Sequence, residues 1–106
     1  MDMENKVRQI RELVEAKREK FARVSDEVWA VPELYFHETK SAAILIKALK
    51  EEGFEVQEGV DGIPTAFIGT WGSGKPVIGI LGEFDALPSL SQEAGCWEHK
   101  EIVKGG

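Results

Sequence analysis

The sequence predicts an α/β fold, a partial layered sheet of about three strands and two helices occupying residues 1–106 as one unit. Three observations carry that prediction. The first half of the chain shows helical periodicity, and the second half holds short apolar runs separated by glycine-rich turns. One of those runs, "VIGIL" (Val77–Leu81), is apolar at every side-chain position instead of alternating, as expected of a strand covered on both faces. A strand of that kind belongs in the middle of a larger layered sheet, so the chain reads as a piece of something longer.

The first element is a long amphipathic helix from about Glu4 to Trp29. Met3, Val7, Ile10, Val14, Phe21, Val24 and Val28 recur four and three apart, with a lapse at Lys17 and Leu13 widening the stripe. The stripe is too short and broken for a sustained heptad seam, so it is expected to pack on the domain's own core, with dimerisation through this helix as the alternative. "AVPELYFHETK" then breaks the pattern, because Pro32 disfavours helix at Val31 and has no amide hydrogen to donate. A second helix follows from about Thr39 to Glu52, with Ala42, Leu45, Ile46 and Leu49 on one face and Gly53 as its C-terminal cap.

"FEVQE", "TAFIGTW" and "PVIGILGE" are three strand candidates, separated by "GVDGIP" and "GSGK". The short second turn predicts a hairpin between Thr65–Trp71 and Pro76–Glu83. "GSGK" lacks both the glycine spacing and the following helix of a phosphate-binding loop. From Ala86 to Gly106 no period is visible, and the tail reads as loop.

Composition narrows the function. The chain is 42% hydrophobic and 30% charged, as soluble globular proteins are. A formal net charge of −6, with basic residues interleaved among acids in "KVRQIRELVEAKREK", argues against a nucleic-acid partner. No stretch approaches the ~20 apolar residues that span a bilayer, and the start "MDMENKVRQI" has no apolar signal segment, so no membrane partner is expected. One cysteine, Cys96, leaves no internal disulfide, and a reducing cytoplasm is the expected compartment.

The candidate chemistry sits where the apolar run ends. In open α/β sheets ligands bind outside the carboxyl ends of strands, and Glu83 and Asp85 stand at that end of the most apolar one. Two apart on extended backbone, both point the same way, and a metal, another cation or a proton relieves their repulsion. The alternative is a pair of solvated acids at a strand end. Cys96 and His99 are the soft ligands nearby, but two such residues fall short of the three or four protein ligands of a zinc site. A small metal-binding protein using Glu83, Asp85, Cys96 and His99 is a further reading, and His37 reads as a surface or capping side chain.

"GEFDALPSLSQEAG" (Gly82–Gly95) resembles the segment after the third strand of the aminoacylase and carboxypeptidase group of co-catalytic metal hydrolases, metallopeptidase family 20, in its amidohydrolase branch. "VWAVPELYFHETKSA", "LKEEGFEV" and "GIPTAFIGTWGSGKPVIGILGE" resemble the same branch in order and spacing, so the likeness runs from about Ile10 onward. The resemblance implies a zinc-peptidase-like catalytic domain that hydrolyses N-acyl or N-aroyl amino acids such as p-aminobenzoyl-glutamate with divalent metal, zinc or manganese. It places Asp85 at the aspartate of the family's His-x-Asp pair, an orienting position. Glu83 stands where the histidine would be, which leaves it either a support behind a metal ligand or a carboxylate ligand itself. Pro88 matches the family's "DALP" turn. The family's "His-x-Cys-Gly-His" motif, general base and further ligands have no match before Gly106. The chain alone is therefore expected to bind no cofactor and to be inactive by itself. Its implied partners are the remainder of the catalytic domain or a second hydrolase subunit, with self-association through exposed strand edges.

Overall fold

The computed structural model describes residues 2–106. The architecture is mixed α/β, in the order α1 (Met3–Ala16), α2 (Arg18–Trp29), α3 (Thr39–Glu51), β1 (Glu55–Glu58) and β2 (Phe67–Thr70), with a short 3₁₀ turn at Val60–Gly62 between the strands. The count differs from the expected two helices and three strands in two places, each with a local cause.

The long N-terminal helix is two helices. Asp2 starts α1 by accepting the Asn5 N–H at 2.7 Å on its carboxylate. At Lys17 the backbone leaves helical geometry, with φ −104° and ψ 1°, and its N–H tightens onto the Val14 carbonyl at 3.1 Å. The lapse in the apolar stripe thus coincides with the break. Beyond it, the Lys17 ammonium pairs with Glu52 at the end of α3, and Lys20 reaches Glu52 at 2.9 Å and Glu51 at 3.0 Å. These pairs clamp α2 along α3, with Val24 and Val28 of α2 half-buried. The expectation that the whole stripe packs on the chain's own core holds only for this second part. No residue of α1 is buried, and Met3, Ile10, Leu13 and Val14 lie exposed.

Hydrogen bonds from Lys17 and Lys20 hold the Glu52 carboxyl below its ordinary range, against the opposing effect of desolvation. A carboxylate whose pKa is lower folded than unfolded adds stability above its unfolded pKa and loses it as the pH falls through the folded value. The urea midpoint should therefore fall as the pH drops below about 4.3. The fall should be shallower in Lys17→Met/Lys20→Met, which urea titrations at several pH values will measure.

α3 is the most buried element, with Ser41, Ala42, Ile46 and Ala48 inside. It ends as expected at glycine. Gly53 takes φ +88°, its N–H meets the Lys50 carbonyl at 3.1 Å, and the Phe54 N–H returns to Leu49 at 3.0 Å. This is the paired closure that a left-handed residue permits after a helix. β1 and β2 run antiparallel in the register Glu55↔Thr70, Val56↔Gly69, Gln57↔Ile68 and Glu58↔Phe67. α3 covers one face of this ribbon, and Gly69 is where they touch, since a Cβ there would lie 3.0 Å from Leu49 Cδ1. Gln57 and Ile68, on the other face, are exposed.

The third strand and its hairpin are corrected. β2 pairs with β1 instead of with Pro76–Glu83, and residues 71–106 contain no helix or strand. Val77, Ile78, Ile80 and Leu81 are 85%, 81%, 94% and 89% exposed, so the apolar segment is bare on all sides instead of covered on both. The physical reason is the ribbon itself, which offers one covered face and one wet face. A segment apolar on both sides gains little by joining it without a second layer. Correspondingly the chain is open. Its radius of gyration is 17.1 Å, against about 13 Å for a compact chain of this length. Its accessible surface of 9222 Å² exceeds the roughly 5,900 Å² of a compact monomer of this mass.

Candidate functional site

Glu83 and Asp85 lie in the segment that follows the bare apolar run, and both are exposed. Between them Phe84 is half-buried, with its ring centroid 5.6 Å from that of Phe67 at the start of β2 and the planes tilted by 44°. On the far side of Asp85, the Ala86 N–H donates to the Glu33 carbonyl at 2.7 Å. The acids are therefore carried on a stretch fastened to the body by one aromatic contact and one backbone hydrogen bond, with Asp85 between the two.

Glu33 was not among the residues that sequence reasoning singled out. Its carboxylate closes the N-terminus of α3, accepting the Ser41 N–H at 2.7 Å on Oε1 and the Lys40 N–H at 3.1 Å on Oε2, with the Thr39 hydroxyl at 3.3 Å. Burial opposes its charge, but those hydrogen bonds prevail and hold the Glu33 carboxyl below its ordinary value. The residue at the usual capping position, Glu38, is buried and spends its own Oε1 on the Phe36 N–H at 3.0 Å. The readable signal was the missing Ser, Thr, Asp or Asn at residue 38, which leaves the first amides of α3 to find an acceptor elsewhere.

The tail, expected to be loop, is an organised one. Gln92 sits at its centre, donating to the Glu98 carbonyl at 2.8 Å and accepting the Lys100 N–H at 3.1 Å. Ser91 Oγ accepts the Ile102 and Val103 amides at 3.2 and 3.0 Å, and its own N–H meets the Gly106 carbonyl at 3.0 Å. Cys96 is half-buried in this loop, while His99 and Trp97 are exposed on it. His37 is exposed, as expected of a surface side chain.

A divalent metal needs a converging donor set. Two exposed carboxylates fall short of it, and among the described residues no group of three His, Cys, Asp or Glu side chains gathers closely enough to hold an ion. The described residues do not by themselves fit a metal centre, and Cys96 and His99 do not join Glu83 and Asp85 in one. No helix among them is long and apolar enough to cross a membrane.

No protein-family model matches the chain. Curated relatives do. Over 103 residues, 97% of this chain and 21% of the relative, it is 44% identical to a p-aminobenzoyl-glutamate hydrolase subunit of Escherichia coli K12. It is 32% identical to thermostable carboxypeptidase 1 of Saccharolobus solfataricus over 105 residues, 97% of this chain and 24% of the relative. To thermostable carboxypeptidase 2 of the same organism it is 37% identical over 76 residues, 70% of this chain and 19% of the relative. The chain thus spans about a fifth of the length of the curated relatives it matches.

Proposed function

Because this chain belongs to the amidohydrolase and carboxypeptidase family, metallopeptidase family 20, we propose that it supplies one wall of a hydrolytic site for N-acyl or N-aroyl amino acids, with p-aminobenzoyl-glutamate as the leading substrate. Asp85 is the orienting carboxylate of that wall and Glu83 its neighbour in support. Further polypeptide, either the remainder of a catalytic domain or a partner subunit, supplies the other walls. Metal ligands for zinc or manganese belong to that further polypeptide. The name of the Escherichia coli relative, one subunit of a hydrolase, supports both the substrate and the partner. A cytoplasmic setting suits the single thiol, Cys96.

One observation carries the reading. A run of apolar side chains, exposed by 81% to 94%, leads directly into the acidic pair. Exposed apolar area of this kind marks a surface awaiting a partner. The test is a graft in which this chain replaces the matching stretch of the Escherichia coli relative, followed by assay of p-aminobenzoyl-glutamate hydrolysis. Turnover well above the chain alone is the expected result, and a folded, inactive graft defeats the reading.

A second reading, an interaction module that dimerises through its N-terminal helix, is favoured by the bare stripe of α1, on which Met3, Ile10, Leu13 and Val14 are exposed. Sedimentation of the 106-residue chain across a micromolar concentration series separates the two. If α1 is the contact, Val14→Glu abolishes the dimer and leaves the fold intact. If the apolar run is the contact, Val14→Glu leaves association unchanged and Ile80→Lys removes it.

A further inference from the structure

The backbone is tied on both sides of Asp85, by the Phe84 ring against Phe67 and by the Ala86 N–H on the Glu33 carbonyl at 2.7 Å. The second tie leads to α3, because the side chain of the same Glu33 is locked to the first turn of that helix through Thr39, Lys40 and Ser41. We infer that Glu33 is a positioning residue for the acidic segment, using its carboxylate to grip α3 and its carbonyl to hold Ala86, so that the place of Asp85 is set by the N-terminus of α3. The inference rests on the reading of Asp85 as a site residue.

The direction of a carbonyl follows the backbone of its own residue, and the grip of the Glu33 carboxylate on Lys40 and Ser41 holds that backbone. Pro32 precedes it with a fixed φ, and the Val31 carbonyl accepts the buried Ser41 hydroxyl at 3.4 Å. The loop is therefore pinned to Ser41 twice, once through Val31 and once through the Glu33 carboxylate at 2.7 Å. Without the carboxylate, the amides of Lys40 and Ser41 lose their acceptor and residue 33 is free to turn, carrying its carbonyl away from Ala86. A glutamine keeps one acceptor oxygen at that place and retains part of the grip. Glu83, with only the Phe84 contact beside it, is held less firmly than Asp85.

Amide hydrogen exchange of the 106-residue chain, followed by NMR, tests this directly. The Glu52 N–H, bonded to the Ala48 carbonyl at 3.2 Å at the other end of α3, serves as the reference. In Glu33→Ala the Ala86 amide should exchange at least tenfold faster while Glu52 changes less than threefold, and in Glu33→Gln Ala86 should stay within threefold of the native rate. Unchanged Ala86 exchange in Glu33→Ala overturns the inference. So does a rise that Glu52 matches, since that is general destabilisation, or a glutamine variant as fast as the alanine one. Because exchange is read without substrate, an inactive graft defeats the functional reading while the Ala86 result still decides this one.

Discussion

Ile80→Lys in the grafted enzyme should abolish p-aminobenzoyl-glutamate hydrolysis and soluble expression together, while the same change should leave the folding stability of the isolated chain nearly unaltered. In isolation Ile80 is 94% exposed, and substitutions at such positions stay within about 0.5 kcal/mol. In a completed layered sheet the same side chain would be covered by the layer packed on its face of the strand. There the lysine forfeits roughly 1.5–3 kcal/mol of apolar burial. It also leaves an unpaired charge in the interior, at about 3–5 kcal/mol. Together these approach the whole stability of a typical domain, about 5–15 kcal/mol. Urea unfolding of both forms, with the hydrolysis assay on the graft, measures the contrast. Equal tolerance in both contexts would mean that the apolar run is not a covered strand of the complete protein.

Asp85→Asn is expected to lower turnover of the graft by about a hundredfold with little change in fold, the range in which orienting and proton-handling carboxylates contribute. Asparagine preserves the shape and the exposed setting but removes the charge. Glu83→Gln should cost less, because only the Phe84–Phe67 contact steadies its side of the pair, whereas Asp85 lies between that contact and the Ala86 hydrogen bond. Steady-state kinetics of the two variants, with circular dichroism to confirm folding, gives the order. A larger loss at Glu83 than at Asp85 would reverse the roles assigned to them.

The second helix was legible almost to the residue. Its start at Thr39 and its stop before Gly53 depend on neighbouring side chains and on one left-handed glycine, all of it local. β1 and β2 were legible as strands for the same reason. Their pairing was not. The short "GSGK" turn argued for joining Thr65–Trp71 to Pro76–Glu83, but β2 turned to β1 across an eight-residue connection, where α3 covers the face that Val56, Phe67 and Gly69 share. Turn length is a weak vote when one partner brings a covering helix and the other brings none.

The N-terminal stripe shows the same division within one pattern. Its period announced one helix from about Glu4 to Trp29, and the lapse at Lys17 turned out to be where that helix divides, because periodicity reports which side chains share a face. What that face meets is another matter. α2 found α3 through Lys17, Lys20 and Glu52, and α1 buries none of its residues.

Residue order alone was enough for the helical periods, for β1 and β2 as strand segments and for the Gly53 cap of α3, since each depends on contacts only a few positions apart along the chain. Tertiary contact alone assigned the partner of β2, the bare state of Val77–Leu81 and the double role of Glu33. Those depend on which surfaces are available to cover one another, and the bond from Glu33 to Ala86 joins residues more than fifty positions apart that no local pattern links.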